Sequence, residues 1–385
     1  MRHLGFVLML VPACALARQS PTLRVAAVEF LGEIAGEPAR AAHVLLQDGA
    51  IPTPIVGGTL WTFGDTFLGT LGADGAPQWA GAHSNTMAFL PAGPHDHPPP
   101  LQYALAADGR AAAPLALLPG EDPAKRRLWP LAGVQLGDTV HLFYGLIDVV
   151  GEGPFGFAVL GTGLARGAPP FGPFERLPLP PSGTWPMDPS SIVRDGEQLL
   201  LFAPRRFHGE QDPRSDLCVA RVAAAAIADP NAYSFFAGLD DDGGARWTRD
   251  AASAVPAAHD VAGQASVAWN AHLGGYLLAT SCDLARPRTV RLRFAHRPFG
   301  PFVDVAVDVA VGAALGVPGD GAGDGGRIEL AERSGETTQL VYCAMLHPEL
   351  DRDGGRTITL TCCRMLQRPF ALTNPESLRV TFGRD

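Results

Sequence analysis

The feature that most constrains this chain is a β-type segment that recurs five times. Each copy begins at or near a turn glycine and continues as an apolar run, and the glycines stand at positions 58, 137, 196, 275 and 335. The runs cover residues 58–65, 137–148, 196–206, 275–283 and 335–347. The intervals alternate between about 79 and about 60 residues, too even for chance and too long for simple hairpins, so they indicate a repeat architecture.

A second, shorter repeat supports this interpretation. The sequence Phe-Gly-Pro-Phe occurs at residues 171–174 and again at 299–302, and Arg-Pro-Phe occurs at 297–299 and again at 368–370. These separations fit units of about 64 to 71 residues, which is enough for the four strands and turns of a propeller blade. The sequence therefore predicts an all-β fold, a five-bladed β-propeller, that occupies residues 18–385 as one domain.

Composition agrees with an all-β protein and excludes several classes of function. Hydrophobic residues make up 46% of the 385, and 45 glycines and 35 prolines are spread between short apolar runs. Helical periodicity is nearly absent, and the best candidate helix is 219–229. The net charge is −9 with no basic run longer than 125–127, so we expect no nucleic-acid partner.

The first 17 residues have the pattern of a signal peptide. A positive start is followed by an apolar stretch and by Ala15-Leu16-Ala17, a small-residue cleavage signal. We therefore expect an exported protein that is periplasmic, cell-surface or secreted. Cys14 partly fits a bacterial lipobox, so we expect any attachment to a membrane to be a lipid anchor at Cys14. We also expect a monomer. Five cysteines remain after cleavage, and Cys343 and Cys362 are placed on adjacent strands.

Polar residues are expected to gather at one mouth of the propeller channel. The predicted inner strands are 51–56, 132–136, 190–193, 265–269 and 328–331. Each inner strand is antiparallel to the strand that follows it. The start of the inner strand and the end of the second strand therefore lie at the same end of the blade. The residues at these places are Asp48, Trp129, Asp188, Gln264, Arg327 and Glu329 at the first strands, and Asp65, Asp148, Arg205, Arg206, His208, Asp283, His347 and Glu349 after the second.

Several of these residues also have structural interpretations. An aspartate at a strand end can bond to nearby backbone amides, and arginines can pair with the carboxylates. Trp61 is assigned to the core, whereas Trp185, held near Asp188 between two prolines, is assigned to a wall that stacks on a sugar ring. His347 could be a structural residue or lie near a metal. No cofactor is predicted, and a calcium or other metal ion in the channel is left as an alternative. The acidic loops at 240–244, 319–326 and 351–354 are interpreted as solvated turns, because they lack the closing glutamate of a calcium loop.

Five stretches resemble a known family. They are 47–49, 58–69, 84–88, 263–268 and 347–360. They resemble exported bacterial five-bladed propellers of formerly unknown function, related to the arabinanase, xylosidase and fructosidase glycoside hydrolases, some of which are endo-D-arabinanases. The resemblance implies that Asp48 is a general base or nucleophile and that Asp188 supplies a second carboxylate. Met187 stands where the related motif has arginine, and no clear glutamate occupies the usual acid position.

The predicted function is hydrolysis of a polysaccharide such as an arabinan. Glycosidic cleavage needs one protonated acid and one ionised carboxylate. We assign Asp48 as the base, Asp188 as the acid and Asp65 as the residue that holds a partner or the sugar. The expected substrate contacts are Trp129, Trp185, Asp148, Arg205, Gln264, Arg327, Glu329 and His347. The alternative is a propeller that binds carbohydrate or protein without cutting it.

Overall fold

The computed structural model describes residues 23–153, 155–207, 215–283, 285–307, 326–332, 335–368 and 370–383. The predicted signal segment with Cys14, and also His208, lie outside the described residues. Within these ranges, no helix has both the length and the apolar character needed to cross a membrane.

The described part of the chain starts with a strand of the last blade and a helix, and it then forms the first two blades. Strand β1 (Arg24–Glu33) and helix α1 (Gly36–Ala41) come first. Blade one has the order β2 (Val44–Ile55), β3 (Gly58–Leu71), β5 (Thr86–Pro91) and β6 (Gln102–Tyr103), with β4 (Pro77–His83) paired to the far end of β3. Blade two comprises β7 (Arg126–Leu136), β8 (Thr139–Val149), β9 (Phe157–Gly167) and β10 (Phe174–Arg176).

Blades three and four follow the same antiparallel plan. Blade three comprises β11 (Ser191–Asp195), β12 (Gln198–Arg205), β13 (Asp216–Ala223), β14 (Ser234–Leu239) and β15 (Ala245–Thr248). Blade four comprises β16 (Ala262–Asn270), β17 (Gly275–Ser281), β18 (Thr289–Ala295) and β19 (Val303–Asp304). Strand β20 (Ala306–Val307) then leaves this blade for the next one, and β21 (Arg327–Glu329) returns to pair with β18.

The fifth blade is built from both ends of the chain. Its order is β22 (Thr337–Leu346), β23 (Thr357–Arg368), β25 (Glu376–Phe382) and β1, and β24 (Phe370–Leu372) pairs with β23. Five short 3₁₀ turns lie at Ala224–Ala226, Pro230–Ala232, Ala251–Ser253, Pro348–Leu350 and Asp353–Gly355.

The inner strands β2, β7, β11, β16 and β22 contact one another in that order, and β22 contacts β2, which closes the ring. This confirms the predicted five-bladed β-propeller. The axis is filled by small and apolar side chains, among them Ile51, Ala132, Cys343 and Met345. Separate apolar clusters lie between neighbouring blades, as with Phe143 and Leu164 of blade two against Leu199 and Leu201 of blade three. Each fully buried leucine contributes roughly 1.5–3 kcal/mol to stability.

The glycine pattern correctly placed the first hairpin of four blades. The turns between the paired strands contain Gly57, Gly137, Gly196 and Gly274, whose φ angles of 84°, 58°, 59° and 63° lie in the left-handed region where glycine is unstrained. The repeated Phe-Gly-Pro-Phe also occupies equivalent places, leading into β10 and β19. The candidate helix 219–229 was wrong, because it contains the end of β13 and a 3₁₀ turn.

The prediction for the fifth blade was also wrong. The run 335–347 contains β22, which is the inner strand and not the second strand. Residues 328–331, predicted as the inner strand, overlap β21 at the outer side of blade four. The physical reason is that β1, which precedes blade one in the sequence, supplies the fourth strand of this blade. The strands near the end of the sequence therefore each lie one position closer to the axis than predicted.

Candidate active site

Asp48 and Asp65 are brought together by a β-bulge in the first hairpin. Gln47 faces Thr66 and Gly49 faces Phe63, so Asp48 alone lies opposite both Gly64 and Asp65. Gly49 and Ala50 have φ angles of 99° and 74°, which turn the chain sharply after Asp48. A Cβ at Gly64 would lie 2.5 Å from Oδ1 of Asp48, so glycine leaves the space that the carboxyl occupies.

The two carboxyls perturb each other. Burial and the charge of Asp65 raise the pKa of Asp48 to about 7, against the opposing effect of a hydrogen bond from Tyr342. Burial also raises the pKa of Asp65, opposed by a hydrogen bond from Trp129 and by the charge of Arg127. Two enclosed carboxyls whose charges interact cannot both ionise readily, so the pair keeps one proton close to neutral pH.

Side chains from two other blades hold the pair in place. Nε1 of Trp129, on β7, donates a hydrogen bond of 2.9 Å to Oδ1 of Asp65, and the indole packs edge-on against Phe157 with centroids 4.8 Å apart. The hydroxyl of Tyr342, on β22, donates to Oδ2 of Asp48 at 3.2 Å. The pair is therefore positioned by blades one, two and five together. Trp129 is half-buried, so part of its ring remains accessible at this end.

Asp188 lies in a cavity on the third blade. The cavity has a volume of about 370 Å³ and is lined in part by Met187, Asp188, Arg205, Arg206 and Cys218. The Asp188 carboxyl borders this cavity. Desolvation by the surrounding protein raises the pKa of Asp188 to about 6, and the positive charge of Arg205 opposes this shift. Arg205 is itself fixed by a hydrogen bond of 2.9 Å from Nη1 to the carbonyl of Ala251.

The structure brings Asp48 and Asp65 together, whereas Asp188 lies outside this pair, on the segment that leads into β11. This segment contacts blade two, because the carbonyl of Pro189 accepts a hydrogen bond of 2.9 Å from the amide of Ala132, three residues after Trp129. The residues that line the Asp188 cavity do not include Asp48 or Asp65. The Asp48–Asp65 pair and the Asp188 cavity are therefore two separate centres.

Two further predicted residues lie near strand ends as expected. Gln264 is half-buried in a bulge at the start of β16, between the paired residues Ala262 and Ala265. Asp148 lies at the end of β8, where its Oδ1 is 2.9 Å from Nε of Arg126 on β7. This ion pair ties Asp148 to the strand that carries Trp129.

Trp185 contradicts its predicted role as a wall of the sugar site. Its side chain is 4% exposed and packs in the apolar cluster between blades two and three. An indole ring that is buried in this apolar cluster cannot stack on a ligand. Trp61, by contrast, was correctly assigned to the core, since it is fully buried and its Nε1 donates to Oε1 of Glu349 at 2.8 Å.

Arg327, Glu329 and His347 were also misplaced by the sequence analysis. Arg327 and Glu329 lie on β21, where they form ion pairs with Asp283 and Arg288, because this segment joins blade four and not the axis. His347 is fully buried, with Nδ1 2.9 Å from Oε1 of Glu349 and Nε2 2.9 Å from Oγ1 of Thr361. Both ring nitrogens are occupied by protein partners, so His347 is a structural residue.

Tyr342 is the site residue that the sequence analysis missed. It lies inside the run 335–347, which was recognised as a strand but assigned to the wrong position in its blade. Cys343, its neighbour, contacts Cys363 and not Cys362, and all five cysteines among the described residues are free thiols.

No group of three or more histidine, cysteine, aspartate or glutamate side chains in the described ranges could hold a metal ion. We derive no step through a metal ion.

One family model matches part of the chain. Residues 180–366 match the family described as Domain of unknown function (DUF4185). No curated protein sequence matches the chain.

A solved structure shares the fold of this chain. A candidate hydrolase from Bacteroides ovatus ATCC 8483 aligns with a TM-score of 0.61 and 15% identity, over 89% of this chain and 87% of that one. Two glycoside hydrolases align less closely. They are a GH43_1 enzyme from Xanthomonas citri complexed with xylose (TM-score 0.44, 16% identity, 90% and 91% of the chains) and a family 117 enzyme from Zobellia galactanivorans (0.47, 10%, 92% and 90%).

Proposed function

We propose that this protein is a glycoside hydrolase that cleaves a polysaccharide such as an arabinan outside the cytoplasm, acting as an exported monomer. The observation that carries the proposal is the Asp48–Asp65 pair at one end of the first hairpin. An enclosed carboxyl pair that keeps one proton near neutral pH supplies the acid that a departing glycosidic oxygen needs. The B. ovatus likeness supports the fold alone.

The pKa order assigns the proton to Asp48. With a pKa of about 7, Asp48 is largely protonated just below neutrality, whereas Asp188, with a pKa of about 6, is mostly ionised at pH 7. In the proposed mechanism, Asp48 donates the proton and Asp188 is the ionised carboxylate. This reverses the roles expected from the sequence. Asp65 keeps the pKa of Asp48 high, and Trp129 holds Asp65 in position.

The surroundings of the two centres suit a neutral sugar. Trp129 offers an accessible aromatic edge beside the pair, and Arg205 and Gln264 offer hydrogen-bond donors for hydroxyl groups. Arg205 also lies close enough to Asp188 to lower its pKa, which favours the ionised form that the proposed role requires.

The alternative is a propeller that binds carbohydrate without cutting it. The position of the Asp188 cavity favours this alternative, because Asp48 and Asp65 are absent from its lining. A binding protein needs no paired acid and base, so the two centres would serve as separate contacts.

Product analysis separates the two functions. The purified mature chain is incubated with arabinans, galactans and fructans, and products are resolved by chromatography, with Asp188→Asn and Asp195→Asn in parallel. Asp195 is an exposed aspartate at the far end of β11 and is the matched control. We expect oligosaccharides from wild type and Asp195→Asn, and little from Asp188→Asn. Retention of a polysaccharide with no product from any protein would establish the binding function instead.

A further inference from the structure

An exposed aromatic pair lies on the hairpin that continues β3 beyond Asp65. Strand β3 runs on from Asp65 to Leu71 and pairs there with β4, whose first six residues are all exposed. Trp79 on β4 is 59% exposed, and its ring meets that of Phe67 on β3 edge-on, with centroids 6.1 Å apart. The large exposed ring of Trp79 calls for an explanation, because β4 has no buried residue and so adds nothing to the propeller core.

The pair lies on the same face of β3 as Asp65. Thr66 and Leu68 are buried, so the alternation of the strand directs Asp65 and Phe67 to the opposite face. Asp65 bonds to Trp129 of blade two, which shows that this face looks across the mouth toward the second blade. Two residues along a strand span about 7 Å. Asp65, Phe67 and Trp79 therefore form a line that leads away from the carboxyl pair.

The edges of this line carry polar groups that suit a sugar. Thr70 and Gln78 lie beside the aromatic pair on the two strands, with Oγ1 of Thr70 3.5 Å from Oε1 of Gln78. An exposed aromatic ring with hydrogen-bonding groups at its rim matches a sugar ring, which has an apolar C–H face and hydroxyl groups around its edge.

We propose that Phe67 and Trp79 form a subsite that binds a sugar ring of a polysaccharide whose scissile bond lies beside Asp48. This inference rests on the proposed function and adds the kind of substrate. A monosaccharide at the carboxyl pair does not reach Trp79, so the subsite is used only by a chain of several sugars. The enzyme accordingly prefers polymers.

Affinity electrophoresis tests the subsite without cleavage. Native gels are cast with linear arabinan, galactan, xylan or levan, and all proteins carry Asp48→Asn. The test variant adds Trp79→Ala, a conservative variant adds Trp79→Phe, and the matched control adds Trp269→Ala. Trp269 is 50% exposed and also packs edge-on against an aromatic ring, that of Tyr276, with centroids 5.2 Å apart. It lies near the end of β16, whereas Gln264 lies near the start of the same strand.

We expect at least one polysaccharide to retard the parent and the Trp269→Ala control equally. The apparent dissociation constant should rise roughly tenfold in Trp79→Ala and less in Trp79→Phe. Equal retardation of the Trp79→Ala protein, or no retardation of the parent by any of the four polymers, would overturn the subsite. A concentration-dependent dimer that Trp79→Ala abolishes, seen by light scattering with retardation unchanged, would assign the pair to self-association.

Failure of the subsite and failure of the proposed function give different results. If Trp79-dependent retention occurs but the wild-type chain releases no products, the subsite stands and hydrolysis fails. If the wild-type chain releases products and Trp79→Ala in the otherwise native chain leaves the KM for the polymer unchanged, hydrolysis stands and the subsite fails.

Discussion

The hydroxyl of Tyr342 on the inner strand of the fifth blade lies 3.2 Å from Oδ2 of Asp48 on the inner strand of the first. These two residues are 294 positions apart in the chain, and they meet where the ring of blades closes. The contact therefore couples the integrity of the ring to the chemistry of the carboxyl pair. A change at Tyr342 should alter catalysis through the protonation of Asp48.

Replacing Tyr342 with phenylalanine should shift the pH dependence of kcat/KM. The hydrogen bond from Tyr342 favours the ionised form of Asp48, so its loss raises the pKa of Asp48 further. The alkaline limb of the pH profile should move to higher pH. Tyr276→Phe, on the far side of blade four, is the control and should leave the profile in place. A profile of Tyr342→Phe that coincides with that of wild type would remove Tyr342 from the site.

Asp65→Asn should shift the same limb in the opposite direction. The charge of Asp65 raises the pKa of Asp48, so a neutral amide at this position lowers it. The wild-type profile should be a bell with limbs near about 6 and about 7, from Asp188 and from the Asp48–Asp65 pair. In Asp65→Asn the alkaline limb should lie at lower pH. If the alkaline limb moves in the same direction in Tyr342→Phe and Asp65→Asn, the assignment of this limb to Asp48 is contradicted.

The contribution of three aspartates to stability should fall as the pH rises from about 4 to about 7. Desolvation raises the pKa of Asp48 to about 7, of Asp351 to about 7 and of Asp188 to about 6, all above the ordinary value of 3.8. Over this range these three groups bind more protons in the folded chain than in the unfolded chain, so the stability that they contribute is lost as protons leave. These contributions are fully present below about pH 4 and are lost as the pH passes through the folded values.

The Asp48→Asn variant provides the test of that dependence. It removes one of the three titrating groups, so its melting temperature should fall less than that of wild type between pH 4 and pH 8, by roughly a few degrees. Differential scanning calorimetry at several pH values measures this. A steeper fall in the variant would show that Asp48 is not held protonated by the fold.

His347→Ala should destabilise the protein without changing the chemistry of the folded fraction. The substitution leaves a cavity beside Trp61 and removes a partner from Glu349 and Thr361, at a cost of about 2–4 kcal/mol. Urea unfolding measures the stability change, and kcat per folded molecule should be retained. If kcat falls while the unfolding midpoint is unchanged, His347 has a role at the site that its buried position does not account for.

The sequence predicted the blades better than it predicted their closure. Turn glycines at the first hairpins are local signals, because they report a left-handed backbone wherever the hairpin lies. By contrast, a short apolar run such as 328–331 can pair with either neighbouring sheet, and only the pairing of β1 with β25 decides which strand becomes the inner one. This is a contact between the two ends of the chain, for which local pattern carries no information.

The site was predictable to a similar extent. Asp48 and Asp65 lie opposite each other because they stand on β2 and β3, which are consecutive in sequence, although both lie within these strands and not at their ends. Trp185 and His347 were misassigned because residue type does not distinguish an aromatic ring packed between blades from one that faces the mouth. Tyr342 was missed because its strand position in the fifth blade was wrong by one.

Turnover by Asp48→Asn tests the central claim most directly. Wild type, Asp48→Asn and the Asp195→Asn control are compared on the polysaccharide that wild type cleaves, with circular dichroism and melting temperature as checks of folding. The account predicts a loss of about 10³-fold or more in kcat for Asp48→Asn, with the fold intact and the control unchanged. A folded Asp48→Asn protein that cleaves the polymer at the wild-type rate would contradict it.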